Sequence, residues 1–425
     1  MKTLLTNVTI CKDTLNLLID GELIAYIGND TPPADTVINL EGKMLISGGI
    51  DMHVHVRDME LEYKEDWLTA SKAALAGGYT TIFDMPNTMP ATLNEDSLNF
   101  KRAAAQKSLV NKGYFIGANR YNYKEIEHVL LTAPQDVPGI KAYLAGSSSN
   151  EVVSEEEILL KLCQLAKKYD LPLAVHSEDQ RCITQWTKKQ LGNHARYHSQ
   201  IRNRECAIKS TSQILNIASS IGNKLYLAHV STAEEIDLVV EHKKRNPYIY
   251  CEVTPHHLFL SEEILETVGN YGKVNPPIRT KADNEALLQA IINGVADTIG
   301  SDHAPHSLEE KNKEYKSAPS GFPGLETTMA LLLNAVNKGI LPLNKIVKLC
   351  SSNPAKIFKL KNRGKIEVGY FADLAIVDMK KKWIVNPDNF FTKAKYSPYC
   401  GMELQGKVVM TFVNGKLLYN ELETA

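Results

Sequence analysis

The chain has 425 residues, of which 44% are hydrophobic and 23% are charged, and its formal net charge is -1. This composition is ordinary for a globular protein, and a nearly neutral chain predicts neither a nucleic-acid partner nor an anionic membrane surface. No apolar run approaches the roughly 20 residues of a membrane span, and the first residues lack a signal-peptide core.

The seven cysteines are scattered along the chain and include no CxxC pair. Free, buried thiols in a reducing compartment are the simplest interpretation of this pattern. Together with the absence of a signal-peptide core, it leads us to expect a cytoplasmic protein.

Both ends of the chain show short β patterns. The predicted strands are Leu4–Ile10, Leu15–Ile19 and Leu23–Ile27 near the start, and Ala375–Val377 and Val408–Val413 near the end, followed by a turn at Gly415. Because chain termini usually lie close together, we predict one small composite β domain formed by residues 1–50 and 360–425. Two unrelated β flaps are the alternative.

Eight apolar, β-rich runs alternate with helix-like segments through the middle of the chain. The predicted strands lie near 44–55 and at Thr80–Met85, Tyr114–Ala118, Gly139–Leu144, Pro172–His176, Lys224–His229, Ile249–Thr254 and Ala296–Asp302. The helix-like segments include Trp67–Ala76, Glu155–Lys168, Cys206–Ser219 and Ala233–His242. This alternation predicts parallel βαβ units, and eight of them predict a (β/α)8 barrel over residues 51–359. Such a barrel carries its active site at the C-terminal ends of the strands.

Side chains that can bind a metal coincide with these predicted strands. They are His53 and His55 on the first strand, Lys141 on the fourth, His176 on the fifth, His229 on the sixth and Asp302 on the eighth. Each one alone has an ordinary explanation, such as a buried histidine or an aspartate that caps a helix. Six of them in this register favour a metal site at the open end of the barrel.

The ligand types suit zinc, with cobalt or manganese as substitutes. Six ligands are too many for one tetrahedral zinc with an open position, and they suit two ions about 3.5–4 Å apart. Lys141 cannot ligate a cation as an ammonium, but carboxylation of its neutral amine by CO2 would give a bridging carbamate. Burial lowers a lysine pKa and so favours that reaction. An ion pair of Lys141 with Asp302 or Glu178 is the alternative, and the residues alone leave both open.

Taken together, the motifs resemble those of the amidohydrolase superfamily in its cyclic-amidase branch, over nearly the whole chain. Within that branch the local motifs are similar to those of the dihydroorotase family. The matching motifs are His53-Val-His55-Val-Arg57, Lys64-Glu-Asp66, Gly77-Gly78, Met85-Pro-Asn87-Thr88, Gly139-Ile-Lys141-Ala-Tyr143, His229-Val-Ser-Thr232, Thr254-Pro-His-His257, Asn275-Pro-Pro277, Asp302-His-Ala-Pro-His306, Gly324-Leu-Glu-Thr327 and, in the β domain, Gly364–Gly369 with Ala372-Asp373.

The resemblance implies the reversible cyclisation of N-carbamoyl-L-aspartate to (S)-dihydroorotate and water, a step of de novo pyrimidine (UMP) biosynthesis, by a binuclear zinc hydroxide mechanism. It implies that Asp302 is both a metal ligand and the proton carrier, that Lys141 is carboxylated, and that the chain forms a homodimer. The residues that would then contact the substrate are His55, Arg57, Asn87, Asn275, His306, Ser320 and Gly321.

Arg57 and Asn87 favour this family over its sister amidases. The planar fork of an arginine suits the ring carboxylate of dihydroorotate, and an asparagine can add an amide donor. Dihydropyrimidinases and allantoinases, the sister families of the same branch, act on rings without that carboxylate, and their HxH motif lacks this arginine. The structural alternatives are an ion pair of Arg57 with Asp58 or Asp66, and a turn role for Asn87.

Two other functions stay open: a sister cyclic amidase, and a catalytically silent barrel that supports a partner enzyme such as aspartate carbamoyltransferase. A silent relative would be expected to lose metal ligands, and this chain has the full set. One departure from the family pattern concerns the loop after Arg57. Met59-Glu60 stand where the family often has Pro-Gly, so we expect this loop to take a different path.

Overall fold

The structure, a computed structural model, describes residues 1–132, 134–147 and 151–421. Its strands are β1 (Lys2–Ile10), β2 (Asp13–Asp20), β3 (Leu23–Gly28), β4 (Thr36–Asn39), β5 (Met44–Ser47), β6 (Gly49–Val54), β7 (Tyr79–Asp84), β8 (Asn111–Tyr114), β9 (Ile116–Gly117), β10 (Ile140–Tyr143), β11 (Leu173–His176), β12 (Leu225–Leu227), β13 (Ile249–Val253), β14 (Thr298–Ile299), β15 (Leu374–Ile384), β16 (Glu403–Val413) and β17 (Lys416–Asn420).

The α-helices are α1 (Trp67–Ala76), α2 (Glu95–Ala104), α3 (Tyr123–Leu131), α4 (Glu156–Lys168), α5 (Gln180–Thr187), α6 (His198–Ile201), α7 (Arg204–Ile221), α8 (Ala233–Lys243), α9 (Pro255–Phe259), α10 (Leu265–Val268), α11 (Lys281–Ile292), α12 (Leu308–Lys311), α13 (Leu325–Asn337), α14 (Leu343–Val347) and α15 (Asn353–Ile357). A π-helical turn, Lys348–Ser352, separates the last two. Within the described ranges, no helix is both long and apolar enough to cross a membrane.

Parallel strands from the middle of the chain form a barrel. Strands β6, β7 and β8 pair in chain order, and so do β9 to β14. β8 and β9 are two parts of one barrel strand, because the N–H of Phe115 between them donates to the carbonyl of Asp84 in β7 (3.0 Å). The barrel closes where Val54 of β6 pairs with His303 beyond β14. The predicted (β/α)8 barrel is confirmed.

The barrel strands are buried on both faces, which explains why they are continuous apolar runs in the sequence. Several of the helices between them begin at side-chain caps. Asp66 and Thr69 form a capping box at the start of α1, and Thr232 and Glu235 form one at the start of α8. α1 spans the predicted Trp67–Ala76, and the other predicted helices agree to within about two residues.

Both chain ends contribute to a second sheet. Its strand order is β17-β16-β15-β5-β1-β2-β3, with β4 paired to β1. The antiparallel pair β15–β5 joins the C-terminal strands to the N-terminal ones, and one face packs an apolar core that includes Leu5, Leu17 and Phe412. The composite terminal β domain is therefore present as predicted. Its limits at residues 50 and 360 stay a prediction.

The predicted first strand, 44–55, is in fact two strands that belong to different sheets. Met44–Ser47 pairs with β15 in the terminal sheet, and Gly49–Val54 begins the barrel. The change of sheet occurs at Gly48, where an added Cβ would lie 2.3 Å from the Thr80 side chain. Because both strands are buried, the apolar run is continuous and hides the junction.

The prediction that all cysteines are free is wrong for one pair. Cys182 in α5 and Cys206 in α7 form a disulfide across a sequence separation of 24 residues. Their spacing carries no motif, since it is the packing of the two helices that brings them together. Cys163, Cys251 and Cys350 are free and buried, as expected, whereas Cys11 and Cys400 are free but exposed.

A buried ion pair at the C-terminal ends of the first two barrel strands provides a test of the packing. Lys101 Nζ lies 2.5 Å from Asp84 Oδ2, and the other oxygen of Asp84 accepts from the N–H of Val56 (2.8 Å). We expect Lys101→Met to lower the free energy of unfolding by about 3–5 kcal/mol, because the Asp84 carboxylate stays buried without its cation.

Urea unfolding monitored by circular dichroism measures this effect. The matched control is Arg102→Met, which removes the partly exposed pair with Asp136 and is expected to cost about 1 kcal/mol or less. Equal losses in the two variants would contradict the assigned role of the Lys101–Asp84 pair.

Candidate active site

The barrel brings the predicted metal-binding side chains together at the C-terminal ends of its strands. His53 lies in β6 and His55 directly follows that strand; His176 ends β11, while His229 and Asp302 follow β12 and β14. All five are buried. A narrow cleft opens onto them and is lined by His53, His55, Tyr143, Ser147, His176, His229, Val274, Asn275, Asp302, Ala304, Ser320 and Gly321.

The Asp302 carboxylate lies against both rings of the His-Val-His motif. Its Oδ1 is 3.4 Å from Nε2 of His53 and 3.2 Å from Nε2 of His55. The opposite nitrogens contact side-chain oxygens: Nδ1 of His53 is 2.7 Å from Glu252 Oε1, and Nδ1 of His55 is 2.6 Å from Asn87 Oδ1. Because these oxygens accept hydrogen bonds, each Nδ1 carries a proton and donates it.

The proton on Nδ1 of His55 has a consequence for its other nitrogen. Burial lowers the pKa of His55 to about 4, so the ring is neutral near pH 7 and Nε2 has a lone pair. That lone pair faces the carboxylate oxygen of Asp302 at 3.2 Å. Two acceptors at this distance repel each other unless a cation lies between them.

His176 and His229 form a second pair. Nδ1 of His176 is 2.9 Å from Nε2 of His229, and Nε2 of His176 is 2.8 Å from Glu178 Oε2. The same Glu178 oxygen accepts from Arg202 Nη2 (2.5 Å). Since Glu178 is ionised by this contact, Nε2 of His176 carries the proton, and its Nδ1 lone pair faces His229.

The Lys141 amine is fully buried and has no hydrogen-bond partner within the described ranges. Burial lowers its pKa to about 8, against the opposing effect of Glu252 and Asp302. The alternative ion pair with Asp302 or Glu178 is not formed in the part of the chain that the structure describes. An unpaired buried amine of lowered pKa suits the chemistry of carbamate formation.

These observations fit a metal centre. His53, His229 and Asp302 offer three ligand atoms within 4.8 Å of one another. The facing acceptors at His55 and Asp302 need a cation between them, and the donor set of imidazoles and a carboxylate is one that zinc, cobalt and manganese accept.

The predicted carboxylate-binding residues lie beside this cluster. Nη2 of Arg57 is 3.1 Å from Nε2 of His306, and Nε of Arg57 donates to the carbonyl of Pro305 (3.1 Å). Nε2 of His306 is also 3.1 Å from the carbonyl of Ser320. Gly321 follows with φ of +126°, and an added Cβ there would lie 2.6 Å from the Ala304 carbonyl, so glycine is required.

The structure also tests the alternative roles of Arg57 and Asn87, an ion pair and a turn residue. Asp58 accepts from the N–H of Trp67 (2.8 Å) and pairs with Lys107, so it does not pair with Arg57. Asp66 caps α1 instead. Asn87 directs its carbonyl oxygen to His55, which is a structural role that the sequence did not predict.

Asn275 lines the cleft, and its side chain is held there by two polar neighbours. Its Oδ1 is 2.8 Å from Nε2 of His198, and its Nδ2 donates to Ser147 Oγ (3.1 Å). The structure therefore places every predicted site residue in or next to the cleft. Their functional roles remain predictions.

The loop after Arg57 takes a left-handed path. Arg57, Asp58 and Met59 have φ values of +66°, +51° and +52°. Proline fixes φ near −65°, so the conformation at Met59 is closed to the proline that the family often has there. That the loop follows a different path from the family's stays a prediction. His229 and Asp302 also have positive φ, +36° and +46°, and such strain commonly lies at functional sites.

Three charged residues that hold the site were not predicted. Glu252 accepts from His53, from the N–H of His229 (2.8 Å) and from the hydroxyl of Tyr226 (2.6 Å). Glu178 and Arg202 fix His176. Glu252 had a usable signal, since it is a charge inside the apolar strand Ile249–Val253 and a buried charge needs partners.

Comparison with known proteins assigns this site to a class. Residues 44–418 match the amidohydrolase family. Among solved structures, the L-hydantoinase (dihydropyrimidinase) of Arthrobacter aurescens is similar with a TM-score of 0.94 and 28% identity, covering 99% of this chain and 96% of that one. The dihydropyrimidinase of Brevibacillus agri NCHU1002 follows with 0.91 and 27%, covering 99% and 95%. The chain belongs to the amidohydrolase family, whose members are metal-dependent hydrolases.

Sequence relatives narrow the class. The chain is 36% identical over 401 residues to the dihydroorotase of Methanosarcina mazei, which is 91% of this chain and 87% of that protein. It is 36% identical over 418 residues to the dihydroorotase of Pyrococcus abyssi, covering 96% and 93%. Within the amidohydrolase family, the chain is thus a member of the dihydroorotase group of cyclic-amide hydrolases.

Glu252 provides a test of how the site is held. We expect Glu252→Gln to weaken metal binding about 10- to 100-fold, because the carboxylate that increases the basicity of His53 is lost. Competition with a chromophoric chelator measures the affinity. The control is Glu235→Gln, a second buried glutamate, which bonds Ser231 and Thr232 and touches no histidine of the site. Equal affinities in the two variants would remove Glu252 from the metal-holding role.

Proposed function

We propose that this chain catalyses the reversible cyclisation of N-carbamoyl-L-aspartate to (S)-dihydroorotate and water, the cyclic-amide step of de novo pyrimidine biosynthesis. The observation that carries the proposal is the placement of Arg57 and His306 beside the buried histidine–aspartate cluster. That arrangement offers cationic and neutral N–H donors for a ring carboxylate next to groups suited to amide hydrolysis. The similarity to named dihydroorotases supports it.

The proposed metal centre holds two zinc ions, with cobalt or manganese as substitutes. His53, His55 and Asp302 would hold one ion and His176 and His229 the other, with a carboxylated Lys141 between them; when bound, the ions supply Lewis-acid polarisation of the amide carbonyl and lower the pKa of water. The unpaired Lys141 amine and the facing acceptors at Asp302 support this arrangement.

Asp302 is the proposed proton carrier. Burial alone would raise the pKa of this carboxyl, whereas positive charge or a donated proton on the side of His53 and His55 lowers it. With those rings neutral, a cation held by the same groups would keep the carboxylate ionised near pH 7. In the hydrolytic direction it accepts the proton of the attacking water and delivers it to the leaving ring nitrogen. In the direction of synthesis the same carboxylate takes the proton from the attacking carbamoyl nitrogen.

Substrate orientation is the proposed task of the residues around the cleft. Arg57 and His306 bind the ring carboxylate, and Asn87 contributes to the same end of the site while it holds His55 through its carbonyl oxygen. Asn275 and the backbone at Ser320 and Gly321 line the wall against which the ring would lie.

A sister cyclic amidase is the second candidate, because the structural neighbours are hydantoinases and dihydropyrimidinases. The carboxylate-binding group distinguishes the two. A catalytically silent barrel is disfavoured by the complete set of predicted ligands. The homodimer and the cytoplasmic location belong to this proposal as predictions that the geometry of one chain does not test.

Carboxylation of Lys141 has a direct test. We expect Lys141→Ala to reduce both zinc content and turnover, because the proposed bridge is lost, and we expect short carboxylic acids to restore part of both by filling the vacated place. Elemental analysis and a dihydroorotate assay measure the two effects. A wild-type structure with a bare Lys141 amine and two metals bridged by another carboxylate would contradict this part of the proposal.

Arg57→Lys tests the substrate. The variant keeps the charge but loses the bidentate fork, so we expect kcat/KM for dihydroorotate to fall tens- to thousands-fold, which corresponds to about 2–5 kcal/mol. Dihydrouracil has no carboxylate, and its turnover should change far less. If the wild type hydrolyses both rings equally well, or the variant weakens both equally, then the sister-amidase function takes first place.

A further inference from the structure

The His306 ring is held between two sets of polar groups. Its Nδ1 is 3.3 Å from the Nζ of Lys64, and its Nε2 is 3.1 Å from the carbonyl oxygen of Ser320 and 3.1 Å from Nη2 of Arg57. His306 is buried, and burial together with the charge of Arg57 lowers its pKa to about 3. The ring is therefore neutral near pH 7 and carries one N–H.

The position of that proton follows from the partners. The ammonium of Lys64 can only donate, so it needs a lone pair on Nδ1 of His306. The carbonyl of Ser320 can only accept, so it needs a proton on Nε2. Both contacts are satisfied in one tautomer only, the one with the proton on Nε2. In that tautomer Nε2 cannot accept from Arg57, and the Nη2 protons of Arg57 are left for another acceptor.

A competing arrangement lies close by. Glu310 Oε2 is 3.6 Å from Nδ1 of His306, and Glu310 Oε1 is 2.9 Å from the Nζ of Lys64. Without Lys64, the carboxylate of Glu310 would accept a proton from Nδ1 of His306. Nε2 would then have the lone pair, and it would accept from Arg57 at the observed 3.1 Å. That arrangement would occupy Nη2 of Arg57, the donor that the other tautomer leaves for the proposed carboxylate site.

We propose that Lys64 is a positioning residue for substrate specificity: it holds His306 in the tautomer with the proton on Nε2 and so leaves Arg57 free for a carboxylate. This inference rests on the proposed function for the identity of the carboxylate, but the tautomer itself does not depend on that function. Lys64 acts through His306 and touches no reacting atom.

The surroundings of Lys64 are built to keep it in place. Its N–H donates to the carbonyl of Leu61 (2.9 Å), and only 12% of its side chain is exposed. Its carboxylate partner, Glu310, is fixed by a capping box with Ser307 at the start of α12 and accepts from the hydroxyl of Tyr63 (3.1 Å). The ammonium therefore lies between two groups of restricted position.

The first experiment determines the tautomer in the metal-loaded enzyme. Nitrogen-15 NMR of histidine-labelled protein reports the protonation of each ring nitrogen, and a His306→Gln variant assigns the signal. We expect a protonated Nε2 in the wild type and in Lys64→Arg, which keeps a cationic donor. We expect Lys64→Met to move the proton to Nδ1. A wild-type ring with its proton on Nδ1 overturns the proposal without any Lys64 variant.

The second experiment measures binding. We expect Lys64→Met to raise the KM for dihydroorotate about tenfold to a hundredfold, the range for a lost hydrogen bond to a charged group, while kcat falls less than about threefold. Metal content should stay at the wild-type value. The control is Lys313→Met, which removes a nearby exposed cation without a contact to His306 and should leave KM unchanged.

A double variant separates positioning from general damage. In Lys64→Met/Glu310→Gln, the amide of residue 310 can donate to Nδ1, so we expect the proton to return to Nε2 and KM to recover most of its loss. A structural role for Lys64 predicts no recovery. If KM stays high while the proton returns to Nε2, then the tautomer does not control binding and the proposal fails. If the wild type does not turn over dihydroorotate at all, the proposed function fails, and the NMR result still decides the tautomer.

Discussion

An acceptor behind three of the four predicted ligand rings decides where those buried histidines carry their protons, and the other features of the site depend on that placement. Glu252, Asn87 and Glu178 stand behind His53, His55 and His176. Because each acceptor takes one N–H, the remaining nitrogen of each ring turns its lone pair towards the centre. Imidazole lone pairs oriented this way repel one another and the Asp302 carboxylate until a cation is present. These unfavourable contacts therefore indicate a site that is built for a cation.

Backbone strain occurs around the site of this protein, in contrast to the barrel strands beside it. The barrel strands are regular and buried, whereas positive φ values occur at His229, at Asp302 and along Arg57–Met59. Residues other than glycine adopt this region at a cost, and the surrounding structure has to impose it. The regular barrel provides that support, since His229 follows a strand that is paired on both sides, while Asp302 and Arg57 lie beside the Val54–His303 bridge that closes the barrel.

Much of the fold was accessible from the sequence because barrel strands and their helices differ in period and length. The buried strands Thr80–Met85 and Pro172–His176 were placed to within one or two residues for this reason. The junction at Gly48 was missed, because a pattern of burial does not report which sheet a strand joins. The Cys182–Cys206 bond was missed because it depends on how α5 and α7 pack.

The same distinction separates the residues of the candidate site that the sequence predicted from those that it did not. The residues that would touch a metal lie in barrel strands or just after them, and their chemistry made them visible in the sequence. The residues that act on other residues, such as Glu252, Arg202 and Lys64, have no fixed spacing from their partners. Lys64 lies 242 positions from His306, and only the closed barrel brings the two within contact.

The sheet shared by the two chain ends also has a consequence for the order in which the molecule is completed. β5 lies between β1 and β15, and it is joined directly to the first barrel strand. On the ribosome, every barrel strand is made before Leu374–Ile384 exists, so one edge of β5 has no partner until that segment has been made. Unpaired strand edges invite association with other chains. The nascent barrel therefore passes through a stage with an exposed edge beside its first strand, which ends when β15 is made and covers that edge.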